Sequence, residues 1–175
     1  MVNKTSPQEI ADQAKQSYQS GDYPGAIEGY ANAADSYAEA GDALMSAEMK
    51  NNQSVVLLRD KQPQVALKVS QGTDKIFAET GDDRRQGMAL ANQASALEAL
   101  KRNKEAIDFY KRAGEALDKA GEIELRLEVM QLLAALYLRR FKLYDAIITL
   151  QSGLIAIKNP TPKQRFMKKL LFFRL

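Results

Sequence analysis

In the stretch DAIITLQSGLIAIK, Ile147, Leu150, Leu154 and Ile157 stand three or four residues apart. That spacing sets apolar side chains on one face of an α-helix, and no neighbouring segment alternates as a half-buried strand would. Similar runs fill the chain between short breaks, and the breaks recur. Glycine followed by an acid stands at Gly41-Asp42, Gly81-Asp82 and Gly121-Glu122, a step of 40 residues. Other columns keep that step: Ala26, Ala66, Ala106 and Ala146; Ile27, Leu67, Ile107 and Ile147; the small Ala14, Ser54, Ala94 and Ala134; and the large apolar Tyr37, Phe77, Leu117 and Ile157. A fixed period of this length marks a solenoid, in which each unit buries its apolar face on the next.

Two helices fit each period. Gly21 interrupts the first hairpin, and Pro24 and Pro63 open the second helices of units one and two, where a missing N–H costs little. Glycines 41, 81 and 121 close the second helices as left-handed caps, and the acid after each lies near the next helix start, where the helix dipole favours it. The pattern predicts helices over 7–20, 24–40, 43–60, 63–80, 83–101, 103–120, 123–141, 143–158 and 162–174. These form units 7–41, 42–81, 82–121 and 122–160 of a single domain, 1–175. The small columns remove bulk from facing helices, so the axes can approach to about 8–10 Å.

The final segment, NPTPKQRFMKKLLFFRL, carries its own start signal. Thr161, Pro162 and Gln164 supply an N-cap, a first-turn proline and a capping-box glutamine, as Ser6, Pro7 and Glu9 do at the beginning. Phe166, Leu170 and Phe173 then make an apolar stripe against Lys163, Arg165, Lys168 and Lys169, with Phe172 projecting among the basic residues. The stripe is expected to be buried on the fourth hairpin as a cap that leaves Phe172 exposed. The alternatives are a homodimer contact and a basic amphipathic helix on a membrane surface.

Composition narrows the chemistry. Apolar residues make up 45% and charged residues 27%, which is the balance of a folded chain. Cysteine and histidine are absent. Disulfides, thiolate metal sites, the commonest metal ligand and every Ser-His or Cys-His pair go with them. No catalytic, cofactor-binding or metal residue is assigned, and Asp82 and Asp83 read as part of a helix joint in preference to a cation site. No 18-residue apolar run occurs, and the start MVNKTSPQEIADQ lacks the apolar centre of a signal peptide, so a soluble cytoplasmic protein is expected.

Charge is unevenly spread. The net +3 conceals three basic and eight acidic residues in 1–50, and six basic with no acidic residues in 158–175. Such ends favour a partner of matching polarity or head-to-tail contact between copies. Basicity this local gives no support for a nucleic-acid groove.

KRNKEAIDFYKRAGEALDKAGE and SGDYPGAIEGYANAADSYAEAGD resemble the tetratricopeptide repeat (TPR). Each has Ala-Ile in the second helix, an aromatic four residues after that alanine, and a small residue three further on: Ala26, Tyr30 and Ala33; Ala106, Tyr110 and Ala113. The 40-residue spacing is similar to the longer-helix variety of kinesin light chains and of the spindle-orientation scaffolds that bind G-protein subunits. Unit two departs with Ser70 and Thr73 in those columns, and unit four with Leu150 and Gly153. The resemblance covers Pro7 to about Lys158. It implies an all-α, right-handed superhelical solenoid of four hairpins plus a C-terminal capping helix.

It also implies binding of a protein or peptide client, without a cofactor, in a concave groove lined by the first helices. Lys15, Asn51, Val55, Arg59, Ser95, Glu98, Gln131, Ala135 and Arg139 fall on the expected inner face. Asn52 and Asn92 share one column, flanked by Asp12 and Leu132 in units one and four. In similar scaffolds first-helix asparagines bond the backbone of an extended peptide, since an amide offers both donor and acceptor. The alternative role for these two is to satisfy buried carbonyls of the preceding hairpin. The basic and aromatic pattern that reads the carboxylate of chaperone tails is not found.

Overall fold

The computed structural model describes residues 5–172. In order come α1 (Pro7–Ser20), α2 (Tyr23–Glu39), α3 (Ala43–Arg59), α4 (Pro63–Ser70), α5 (Thr73–Glu79), α6 (Asp83–Ala99), α7 (Asn103–Lys119), α8 (Ile123–Arg139), α9 (Leu143–Ile155) and α10 (Pro162–Phe172). No strand occurs among the described residues. Apart from α4 and α5, consecutive helices pack against one another along an all-α solenoid, and among the described residues none is long and apolar enough to cross a membrane.

The joints explain the repeat of glycine and acid. Gly41, Gly81 and Gly121 take φ of 79°, 72° and 71°, the left-handed region in which a Cβ is strained. The acid acts more directly than a dipole argument requires. Asp42 accepts the Met45 N–H and Asp82 the Arg85 N–H, both at 2.9 Å, so each is the side-chain N-cap of the following helix. Glu122, one methylene longer, makes no cap bond and pairs with Arg84 at 2.8 Å instead.

The turns inside the hairpins form a second column. Gly21 has φ 83°, and the residues 40, 80 and 120 further on, Lys61, Lys101 and Phe141, have φ of 61°, 60° and 57°. A left-handed non-glycine residue costs roughly 1–2 kcal/mol, partly offset by the greater chain entropy that glycine loses on folding. Lys101→Gly is therefore expected to stabilise the fold by about 0.5–1 kcal/mol. A lower melting temperature for this variant would show that the lysine side chain holds the turn.

The small columns are where helices meet. Ala26, Ala66, Ala106 and Ala146 are buried, as are Ala14, Ser54, Ala94 and Ala134. A Cβ on Gly29 would lie 2.7 Å from that of Ala14, so α1 and α2 approach there without room for a methyl group. The largest cluster joins units three and four through Leu90, Leu97, Tyr110, Leu117, Met130 and Leu133.

Two features differ from the sequence expectation. The helix expected over 63–80 is broken into α4 and α5 at Gly72, whose φ is 84°. The break frees the Ser70 carbonyl, which accepts from Thr73 Oγ1 at 2.8 Å and from Gln93 Nε2 at 3.0 Å. Gln93 gives its other amide proton to Asp74 Oδ1 at 3.0 Å, and Arg112 reaches Asp74 Oδ2 at 3.3 Å. Unit two thus departs from the repeat pattern at Ser70 and Thr73 because those residues build a buried polar seam to unit three.

The second difference is the buried face of α10. It docks on the fourth hairpin, but through Met167 and Leu171 against Leu127, Leu154 and Ile157. Phe166 and Leu170, expected inside, are each 67% exposed. Lys168 Nζ donates to the Ile157 carbonyl at 2.8 Å, and Gln151 to the Leu171 carbonyl, which fixes this face inward. Phe172 is partly exposed, and Phe173 lies outside the described residues.

Candidate peptide-binding groove

The first helices α1, α3, α6 and α8 bring some of the expected residues to a common site and divert others. At the unit one end, Asp12, Lys15 and Tyr18 of α1, Tyr30 of α2, and Met45, Glu48, Met49 and Asn52 of α3 line a cavity of about 500 Å³. Burial, then the nearby Tyr18 and Asp12, raises the Tyr30 hydroxyl above its ordinary range, so it stays a donor. Asn52 is half-buried and has no hydrogen-bond partner among the described residues; Lys15 is exposed beside it.

Further along, the same face is closed by its own bonds. Asn92 Nδ2 donates to Asn51 Oδ1 at 3.0 Å, and Asn51 is buried, not open to the groove as expected. In unit three the Tyr110 hydroxyl donates to Glu98 Oε2 and lies against Ser95 Oγ, both at 3.1 Å, while Arg139 pairs with Glu98. Burial, with the Glu98 carboxylate beside it, raises the Tyr110 hydroxyl far above the range in which it would ionise. Ser95, Glu98 and Arg139 thus come together, joined by a tyrosine that the sequence reading placed in the second-helix core. Val55 and Ala135 are half-buried, and Arg59 and Gln131 are exposed on the same series of helices.

Ties between adjacent first helices do not keep one offset: Asn51 to Asn92 and Glu98 to Arg139 span 41 residues, Gln164 to Glu124 spans 40 and Glu48 to Arg85 spans 37. The 40-residue column of Asp12, Asn52, Asn92 and Leu132 runs along the same helices at half-buried or exposed positions. Phe172 stands one further step on, and both it and Leu132 are partly exposed. The column passes from an acid through two amides to two apolar residues.

Asp82 and Asp83 are fully used by the joint. Asp82 caps α6 and meets Arg85, and Asp83 pairs with Lys119 at 3.2 Å.

Helical hairpins with this period, joints and Ala-Ile-aromatic core constitute a TPR-like repeat solenoid. The chain is similar in structure to a protein from Podosopora anserina described as "putative kinesin light chain nearly identical TPR-like repeats". It matches that protein with a TM-score of 0.76 at 16% sequence identity, over 98% of this chain and 86% of that one. A variant of the same protein matches with a TM-score of 0.75 at 16% identity, over 94% and 82%. No protein-family model and no curated protein sequence matches the chain.

Proposed function

We propose that the chain is a non-enzymatic interaction scaffold holding a peptide or partner helix along its first helices. The cavity between α1 and α3 carries this reading: it has an apolar floor of Tyr30, Met45 and Met49 and a polar rim of Asp12, Lys15, Glu48 and Asn52. Sites of this kind bury a few side chains and orient the ligand with a few polar groups. The column Asp12, Asn52, Asn92, Leu132 and Phe172 suits a client segment whose basic or polar end lies on α1 and whose apolar end lies toward α8 and α10.

The test separates Asn52 from Asn51. For a client captured by pull-down with the intact chain, Asn52→Ala is expected to weaken binding by about 1–3 kcal/mol with little change in melting temperature. Asn51→Ala should act the other way, since it strands the Asn92 donor within the protein. Unchanged affinity for Asn52→Ala would remove the groove reading.

A peripheral membrane adaptor held by α10 is the alternative, drawing on Phe166 and Leu170 among basic residues. With Met167 and Leu171 turned into the solenoid, only part of the helix's apolar surface is left to face a membrane.

A further inference from the structure

We propose that α10 is the first helix of a fifth hairpin, and that its outward face takes an acidic amphipathic helix from a partner protein in the place of that hairpin's second helix. The repeat register points to this site, which is separate from the groove. Leu170 stands in the column of Ile10, Lys50, Leu90 and Met130; Lys50 is exposed, whereas Leu90 and Met130 are buried in the cluster that joins units three and four. Met130 lies so close to α9 that a Cβ on Gly153 would come within 3.0 Å of its Cβ. Phe166 stands in the column of Arg126, whose guanidinium also turns to α9 and donates to the Ser152 carbonyl at 2.7 Å. On α10 these two positions carry a phenylalanine and a leucine, and each is 67% exposed. They are the residues of a hairpin interface with no second helix upon it among the described residues.

Charge selects the occupant. Lys163 and Lys169 flank Phe166 and Leu170 on the outward side and have no ion-pair partner among the described residues; from Lys158 to Phe172 there is no acid at all. Packing two α10 helices together would place like charges in register, which disfavours a second copy on this face. The acidic first unit of another copy presents α1, a first helix, where the register calls for a second. An antiparallel helix with glutamates beside its apolar stripe, and a small residue opposite Leu170 as Gly153 is opposite Met130, meets both requirements.

The probe is a fluorescein-labelled synthetic helix of four to five turns with an Ala/Leu stripe flanked by glutamates, compared with the same peptide bearing lysines. Anisotropy titrations of the intact chain should show salt-sensitive binding of the glutamate peptide and at least about tenfold weaker binding of the lysine peptide. Leu170→Glu should weaken the glutamate peptide at least about tenfold while its circular dichroism melt matches the parent. Lys163→Glu with Lys169→Glu should reverse the peptide preference. Equal binding of the two peptides, or undiminished binding to Leu170→Glu, overturns the proposal. So does Leu170-dependent flotation with phosphatidylserine vesicles, which assigns the face to a membrane, or a Leu170-dependent dimer in sedimentation, which assigns it to a second copy. Because the groove variants leave this face intact, loss of the client site does not touch the result.

Discussion

Phe77→Ala should lower the stability of the fold by about 3–5 kcal/mol, a fall in melting temperature on the order of 10 °C for a chain of this size. Phe77 is 0% exposed and fills the space between Ala47 of α3 and Ala89 of α6, so alanine leaves a cavity lined by residues already too small to collapse into it. Phe166→Ala removes the same atoms from the surface and should shift the melt by no more than a degree or two. Thermal unfolding followed at 222 nm compares the two directly. Similar losses from both would mean that α5 does not close over α3 and α6 as described.

Gln93→Leu should cost roughly 2–5 kcal/mol, because it takes a donor from two buried acceptors at once. The Ser70 carbonyl would keep only the Thr73 hydroxyl, and Asp74 only Arg112, a half-exposed partner whose guanidinium also stacks on Phe109 at 4.8 Å. Gln93→Glu tests the sign of the effect: a carboxylate facing Asp74 repels it and gives nothing to Ser70, so this variant should melt lower than Gln93→Leu despite its closer shape. If both melt with the parent, water already satisfies the seam.

The seam shows what can and cannot be read from one sequence. The joints were legible because a left-handed turn and an N-cap each demand a narrow set of residues, and glycine with aspartate supplies both at a fixed step. The helix break at Gly72 had a local trace, since Ser70 and Thr73 interrupt the aromatic and small columns. Its purpose lay in Gln93 and Arg112, 23 and 42 residues beyond Ser70. The face of α10 was misread for a different reason. Amphipathicity alone picked the largest side chains, Phe166 and Leu170, whereas docking followed the repeat register, in which Met167 continues the column of Ala47, Gly87 and Leu127. In the groove, Asn51 falls on the expected open face by sequence, but its burial and its bond to Asn92 depend on how α3 crosses α6, which no local pattern carries.

The unequal joints between units also set where the array is compliant. Units two and three are fastened by Gln93 to Ser70 and Asp74, by Asn51 to Asn92, and by Glu48 to Arg85 at 2.9 Å. Between units one and two the polar ties among the described residues reduce to Gln53 donating to the Ile27 carbonyl at 3.2 Å, beside alanine packing around Met49 and Val56. Directional bonds resist sliding, whereas alanine faces and a methionine re-pack at small cost. Unit one is therefore expected to be the more compliant end of the array, and the cavity between α1 and α3 lies at that joint. Distances between labels on α1 and α3 should then vary more widely than distances within units two and three.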